Sequence, residues 1–200
     1  MYITTGKRLF DIIFSIVGLL LILPFFPIIA LFIRFDSKGP ALIRLIRISE
    51  GREIKVFKFR TMIIDAHHIK ISLVSYNERI PGPFFKMRND PRVTKVGKIL
   101  RRFRIDEFPQ LINVIYGDLS LVGPRPHEPL EVAQYPSQYK FIPLAKSGVT
   151  GYSQIRGASS LPFMQELELD SQYLENQSLF FDIKIIIKTL SIILFDHNAV

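Results

Sequence analysis

The chain has 200 residues, enough for one domain with a sizeable core. A net charge of +8 and a pI of about 9.8 point to anionic partners: phosphates, nucleic acid or acidic lipid headgroups. Cysteine is absent, which excludes a disulfide framework, thiolate catalysis and a Cys-based zinc site.

Residues 9–33, "LFDIIFSIVGLLLILPFFPIIALFI", carry one charge, Asp11, and are long enough to cross a bilayer, which takes ~20 apolar residues. The run is too long for a signal-peptide core and no small-residue cleavage site follows it. Pro24 and Pro27 each remove a backbone donor inside the run, so a kink or break is expected there. Lys7 and Arg8 precede it; Arg34, Lys38, Arg44 and Arg47 follow it. Basic flanks mark the cytoplasmic side, and with both flanks basic, a run that enters, breaks at the prolines and returns satisfies the charge pattern. The residues alone leave two forms equally open, a re-entrant helix-break-helix and a proline-kinked single pass.

Residues 41–62, "ALIRLIRISEGREIKVFKFRTM", alternate apolar and basic positions around a turn near Gly51, the pattern of a β-hairpin. Lys58 and Arg60 are expected on one face of its second strand, because side chains repeat every second residue. Residues 77–93, with "PGPFFKMRNDPR", read as loop. Thr94 is expected to cap a helix with Val96, Ile99, Leu100 and Phe103 as its apolar stripe. A second helix is expected to begin at Asp106, with Phe108, Leu111, Ile112 and Ile115 as its stripe, Pro109 in its first turn and Gly117 as its stop. The segment at 179–195, "LFFDIKIIIKTLSIILF", reads as a helix packed on the domain or lying in the membrane interface.

"RRFRIDEFPQL", 101–111, places two acids after three arginines. As a helix cap, Asp106 would need no other role. A helix N-terminus also favours an ionised carboxylate and a bound phosphate, and Arg101 and Arg104 are near enough in the chain to hold phosphate oxygens. An ionised Asp can attack phosphorus or ligate magnesium. Adjacent helical residues point ~100° apart, so Asp106 and Glu107 are expected to act separately. Downstream, "GPRP" holds Arg125 between Pro124 and Pro126, which limits the entropy it loses on binding, and Gly123 is expected to let backbone approach a ligand.

Taken together, the blocks "FKFRTM" (57–62), "NDPRVTKVGKILRR" (89–102), "DEFPQLINVIYGDLSLVGPRP" (106–126), "SGVTGYSQIRG" (147–157), "LELDSQYLEN" (168–176) and "DIKIIIKTL" (182–190) resemble, in this order, the monotopic phosphoglycosyl transferases of the bacterial sugar transferase family. The resemblance covers nearly the whole chain. It implies a mostly helical α+β fold. Residues 1–38 would be a re-entrant membrane helix-break-helix, broken at Pro24 and Pro27. Residues 39–200 would be a small cytosolic catalytic domain with a short β-hairpin and amphipathic interfacial helices. The implied site is at the cytosolic face of the bacterial inner membrane. The implied reaction transfers a sugar 1-phosphate from a UDP-sugar to polyprenyl (undecaprenyl) phosphate through a covalent aspartyl-phosphosugar. UMP is released, as the first membrane step of exopolysaccharide, O-antigen or glycoprotein glycan assembly. On this resemblance Asp106 is the nucleophile and lies next to magnesium, Glu107 is its paired acid, Lys58 and Arg101 bind phosphate, Arg60 belongs with them to the substrate-binding set, and Pro124, Arg125 and Pro126 serve the nucleotide.

The sequence departs from the family pattern at three places: Leu23 stands where Ser is frequent, Leu45 and Ser49 replace Gln and Gly, and Ala158 follows Gly157 where Arg is common. Asp170 reads either as an assistant to the site or as half of a structural ion pair, and His127 as an exposed loop residue. The adjacent His67 and His68 lack a third ligand for zinc. The aromatics are not interleaved with the basic residues as a nucleic-acid surface requires. A non-catalytic membrane module that binds acidic lipid or a partner protein is the alternative function; it gains nothing from Asp106 beside its arginines. The sugar, the glycan pathway and the existence of a homo-oligomer stay open.

Overall fold

A computed structural model describes residues 5–157 and 160–195. The architecture is mostly helical α+β with two small sheets. The apolar N-terminal run forms helix α1 (Lys7–Ile22), a single 3-10 turn at Leu23–Phe25 and helix α2 (Phe26–Asp36). Both prolines fall near helix starts, Pro24 in the 3-10 turn and Pro27 in the first turn of α2, where a missing N–H costs least. Leu23 opens the 3-10 turn.

The polarity of α1 is inverted relative to a soluble helix. Its buried residues are Lys7, Asp11 and Ser15, one polar strip at four-residue spacing. Leu9, Ile13, Phe14, Val17, Leu20 and Leu21 are exposed. Each of the first two polar groups has a partner. Lys7 Nζ lies 2.5 Å from Asp182 Oδ2, and Asp11 accepts from Ser120 Oγ at 2.7 Å and from the Leu121 N–H at 3.1 Å. Arg8 donates to the carbonyls of Val114 and Ile115 at 2.5 and 2.8 Å and so caps the end of helix α5 (Gln110–Tyr116). The basic N-terminal flank is therefore built into the protein and is not a set of free surface charges. At the other end of the run, Ile33 packs with Phe59 and Leu100, and Asp36 accepts from the Val96 N–H at 2.8 Å. Both ends of the apolar run are thus held by the same folded domain.

Strands β1 (Leu42–Ser49) and β2 (Arg52–Phe59) pair antiparallel from Leu42↔Phe59 to Ser49↔Arg52. Glu50 and Gly51, at φ 52° and 70°, make the two-residue turn expected at Gly51. After helix α3 (Ala66–Ser72), residues 77–93 run as loop. Helix α4 (Lys95–Arg102) is capped by Thr94, whose Oγ1 accepts from the Gly97 N–H at 3.0 Å. Its expected stripe is only partly inward: Leu100 is buried, but Ile99 is exposed, and Gly97 takes an inner position. A Cβ at Gly97 would sit 2.1 Å from the Thr61 carbonyl oxygen, so α4 lies against backbone where a side-chain stripe was expected to pack.

Strands β3 (Ser120–Val122) and β4 (Gly148–Thr150) form a parallel pair, with helix α6 (Pro129–Val132) in the connection between them. Helices α7 (Tyr152–Ile155), α8 (Phe163–Glu175) and α9 (Leu179–Phe195) follow. The main core joins the hairpin residues Ile54 and Val56 to Val114, Leu119, Leu121, Val122, Tyr173 and Ile185. Helix α9 buries Asp182, Ile185 and Ile192 against the domain, while Phe180, Ile187, Leu190 and Leu194 stay exposed. The helix therefore packs on the domain through one face, as the first of the two expectations has it, and leaves an apolar face exposed.

Candidate active site

One face of the hairpin forms the floor of a cleft. Leu45 and Arg47 come from β1, Val56 and Lys58 from β2, two residues apart in each strand. Glu107, Gln110, Arg125, Pro126, Gly148, Val149 and Gln154 complete the lining. The period of two that singled out Lys58 also selects Val56, and through the register Leu45; Arg47 follows by the same rule on β1.

Asp106 and Glu107 lie in a 3-10 turn, Ile105–Glu107, and not at the start of the following α-helix, whose N-cap is Pro109. Arg104 enters that turn in the left-handed conformation at φ 53°. The expected divergence of the two acids is not what the fold produces. Lys58 Nζ is 2.9 Å from Asp106 Oδ2 and 3.2 Å from Glu107 Oε1. A cation from strand β2 gives both carboxylates a common partner. Asp106 is 3% exposed. Burial raises the Glu107 pKa, but Lys58, Arg125 and Arg104 outweigh it and hold the group at about 2. Glu107 is therefore an anion across the neutral range.

Arg101 packs behind this pair and donates from Nε to Thr61 Oγ1 at 2.9 Å. Burial lowers its pKa, and Asp106 is the carboxylate that most offsets that loss. Arg125 has a raised pKa: burial opposes the charge, but Glu107 leads a set of surrounding carboxylates that favours it. The structure thus brings Lys58, Glu107, Arg125 and Pro126 into one cleft, with Asp106 paired to Lys58 and Arg101 in electrostatic contact with Asp106. Pro124 supports the cleft through its carbonyl, which accepts from the Gly148 N–H at 2.9 Å.

Arg60 does not join them. It is 4% exposed and donates to Pro40 O, Ser37 Oγ, Ser37 O and Gly39 O at 2.6, 2.5, 2.9 and 3.2 Å. Strand β2 ends at Phe59, so the two-residue repeat from Lys58 stops before Arg60, which instead clamps the chain leaving α2. Gly123 also has another purpose than the one expected. A Cβ there would lie 2.6 Å from the Lys146 carbonyl oxygen, and a Cβ at Gly148 would lie 2.1 Å from the Gly123 nitrogen. These glycines allow backbone to meet backbone between β3 and β4. His127 is buried, at 6% exposure, against the expectation of an exposed loop residue. Its ring stacks on Phe84 and contacts Tyr135 and Glu166.

Ser49, one of the departures from the family pattern, is fully buried; its Oγ donates to Asp118 O and accepts from the Ser147 N–H, joining β1 to the approach to β4. Leu45 lines the cleft, and Ala158 lies outside the described residues. Arg47, Gln110 and Gln154 were not singled out from the sequence. Arg47 was legible from strand period; the two glutamines were not, since neutral amides on short helices carry no pattern.

The profile of the bacterial sugar transferase family matches residues 2–196, and the chain belongs to that family. It is 41% identical to "Galactosyl transferase CpsE" of Streptococcus agalactiae over 97% of this chain and 43% of that protein. It is 37% identical to "Exopolysaccharide production protein ExoY" of Rhizobium meliloti over 92% of this chain and 84% of that protein. Identity to the "UDP-glucose:undecaprenyl-phosphate glucose-1-phosphate transferase" of Escherichia coli is 39%, over 92% of this chain and 39% of that protein. The chain spans less than half the length of CpsE and of the E. coli transferase.

Proposed function

We propose that this chain transfers a sugar 1-phosphate from a UDP-sugar to polyprenyl phosphate. The observation that carries this reading is the pair of adjacent carboxylates converging on Lys58 in a cleft that also holds Arg125. The relatives' names supply the substrate class: a UDP-sugar donor and an undecaprenyl phosphate acceptor.

In the first step an Asp106 carboxylate oxygen forms a bond to the β-phosphorus. The bond from that phosphorus to the bridging oxygen breaks, and UMP leaves with the electron pair. In the second step an oxygen of the polyprenyl phosphate attacks the same phosphorus and expels Asp106, giving polyprenyl diphosphosugar and the free carboxylate. UMP departs without needing a proton, which suits a site where Glu107 is held ionised. Lys58, Arg101 and Arg125 neutralise phosphate oxygens as charge shifts. Among the described residues no three His, Asp or Glu side chains converge for a metal. Magnesium commonly rests on one or two carboxylates plus substrate phosphates, and Asp106 with Glu107 fits that demand, since their oxygens already share one cationic neighbour. When bound, the ion would add positive charge beside the diphosphate.

Membrane association follows from the inverted polarity of α1. Residues up to 38 form the membrane-inserted part in this reading, and the chain from 39 the cytosolic catalytic domain. Seating of both Lys7 and Asp36 in one folded domain supports a re-entrant run in the inner leaflet, with the site at the cytosolic face of the bacterial inner membrane. The test is UMP release from a panel of UDP-sugars with undecaprenyl phosphate in nanodiscs. Asp106→Asn abolishes release; turnover at the level of the unsubstituted protein refutes the nucleophile assignment.

A further inference from the structure

Pro124 and Pro126 have no N–H, so Arg125 provides the only backbone donor of the "PRP" segment. That donor does not pair with a strand. It donates to Asp170 Oδ2 at 3.2 Å. Two residues on, His127 Nε2 lies 3.0 Å from Glu166 Oε1. Asp170 and Glu166 are one helical turn apart on α8, at 1% and 0% exposure. Four residues of helix advance ~6 Å. Two residues of extended chain advance nearly the same, ~6.6 Å. The two carboxylates therefore match the loop in spacing and lie against it on both sides of Pro126.

Glu166 is held from a third direction. Arg79 Nη2 pairs with its Oε2, Arg79 Nε donates to Leu161 O at 2.8 Å, and the Arg79 guanidinium lies over the Phe84 ring. Burying two carboxylates in one helix is costly unless each has partners of fixed geometry. The neighbour they share is the segment that carries Arg125 into the cleft.

We propose that Asp170 and Glu166 are positioning residues which set Arg125 against the donor nucleotide's phosphates, a role that rests on the function proposed above. Neither touches substrate. The groups facing Asp170 are Glu166 on its own helix, Ser153 on α7, Arg125 and His127 on the loop, and Tyr135, Glu131 and Arg79 around them. Burial first, and Glu166 second, push the Asp170 carboxyl up to about 7. Its ionised form binds the Arg125 N–H more firmly than its neutral form, so donor handling improves as pH rises through that value. Stability moves the other way. With the folded value above the ordinary 3.8, folding favours the neutral acid, and the stability Asp170 contributes is lost as pH rises from 3.8 to about 7.

The experiment compares the unsubstituted protein, Asp170→Asn, Arg125→Ala and the double variant in detergent with magnesium at pH 8. UMP affinity, UMP release and thermal midpoint are measured. Asp170→Asn melts no lower than the unsubstituted protein, yet its UMP affinity falls between about tenfold and about a hundredfold, the cost of a misplaced group. The double variant binds UMP no more weakly than Arg125→Ala alone. With the UDP-sugar identified by the panel, UMP release by the unsubstituted protein without acceptor rises between pH 6 and pH 8; this arm needs no variant and stands if Asp170→Asn misfolds. Unchanged UMP affinity in Asp170→Asn, losses that multiply in the double variant, or a flat pH profile each overturn the positioning role. Absence of UMP release from every UDP-sugar by the unsubstituted protein instead refutes the proposed function.

Discussion

Removing Lys58 tests the electrostatics of the cleft directly. Its ammonium is the shared partner of Asp106 and Glu107, whose side chains are 4% and 17% exposed. Holding Glu107 at about 2 against its ordinary 4.5 corresponds to about 3 kcal/mol of preference for the ionised carboxylate in the folded protein. After burial, which acts in the opposite sense, Lys58 is the largest cause. The folded value is depressed, so this stabilisation is present above pH 4.5 and is lost as pH falls towards 2. In Lys58→Ala the pair keeps Arg125, Arg104 and Arg101 nearby but loses its nearest cation. Removing one partner of a buried ion pair costs on the order of 3 kcal/mol, and a loss of that order is expected at pH 7. For a chain of this length that lowers the melting temperature by about 10 °C. The assay is thermal unfolding in detergent with EDTA, so that no metal replaces the lysine, at pH 7 and again at pH 4. At pH 4 the Glu107 of the variant, no longer held down by Lys58, takes up a proton more readily, and the gap between variant and unsubstituted protein narrows. An equal gap at both pH values, or none at pH 7, refutes this account of the site.

Two further outcomes follow from the geometry. Gly148→Ala places a Cβ 2.1 Å from the Gly123 nitrogen, so the β3–β4 pair must separate; the variant loses more than about 2 kcal/mol of stability, and thermal unfolding shows it. If the run is re-entrant as proposed, single cysteines at Thr5 and Lys38 are both shielded from a membrane-impermeant thiol reagent in intact cells, because both ends of the apolar run are seated on the same folded part; labelling of only one identifies a spanning helix.

Several elements were legible from local pattern alone. The hairpin and its turn at Gly51 follow from period-two alternation around a residue that accepts positive φ, and the Thr94 cap and the Gly117 stop follow from backbone chemistry at helix ends. The blocks around Asp106 and Arg125 located the cleft. A local rule stops holding where the element that justifies it ends. Arg60 shares a period with Lys58 only while the strand continues, and the strand ends at Phe59. Ile99 fits a helical stripe, but Gly97 is the inner residue because α4 rests on the Thr61 backbone.

The amino-acid sequence by itself determined which segments are apolar, where the backbone must turn, and which charged groups are available for phosphate chemistry. These properties depend on residues within a turn or two of one another. Tertiary structure alone decided how charges far apart in the chain were matched. Lys58 meets two acids that follow it by about fifty residues, Lys7 meets Asp182, and two carboxylates of α8 meet the loop of Arg125. A buried charge is tolerated only with a partner at fixed distance, and periodicity cannot say which distant residue packing will bring there.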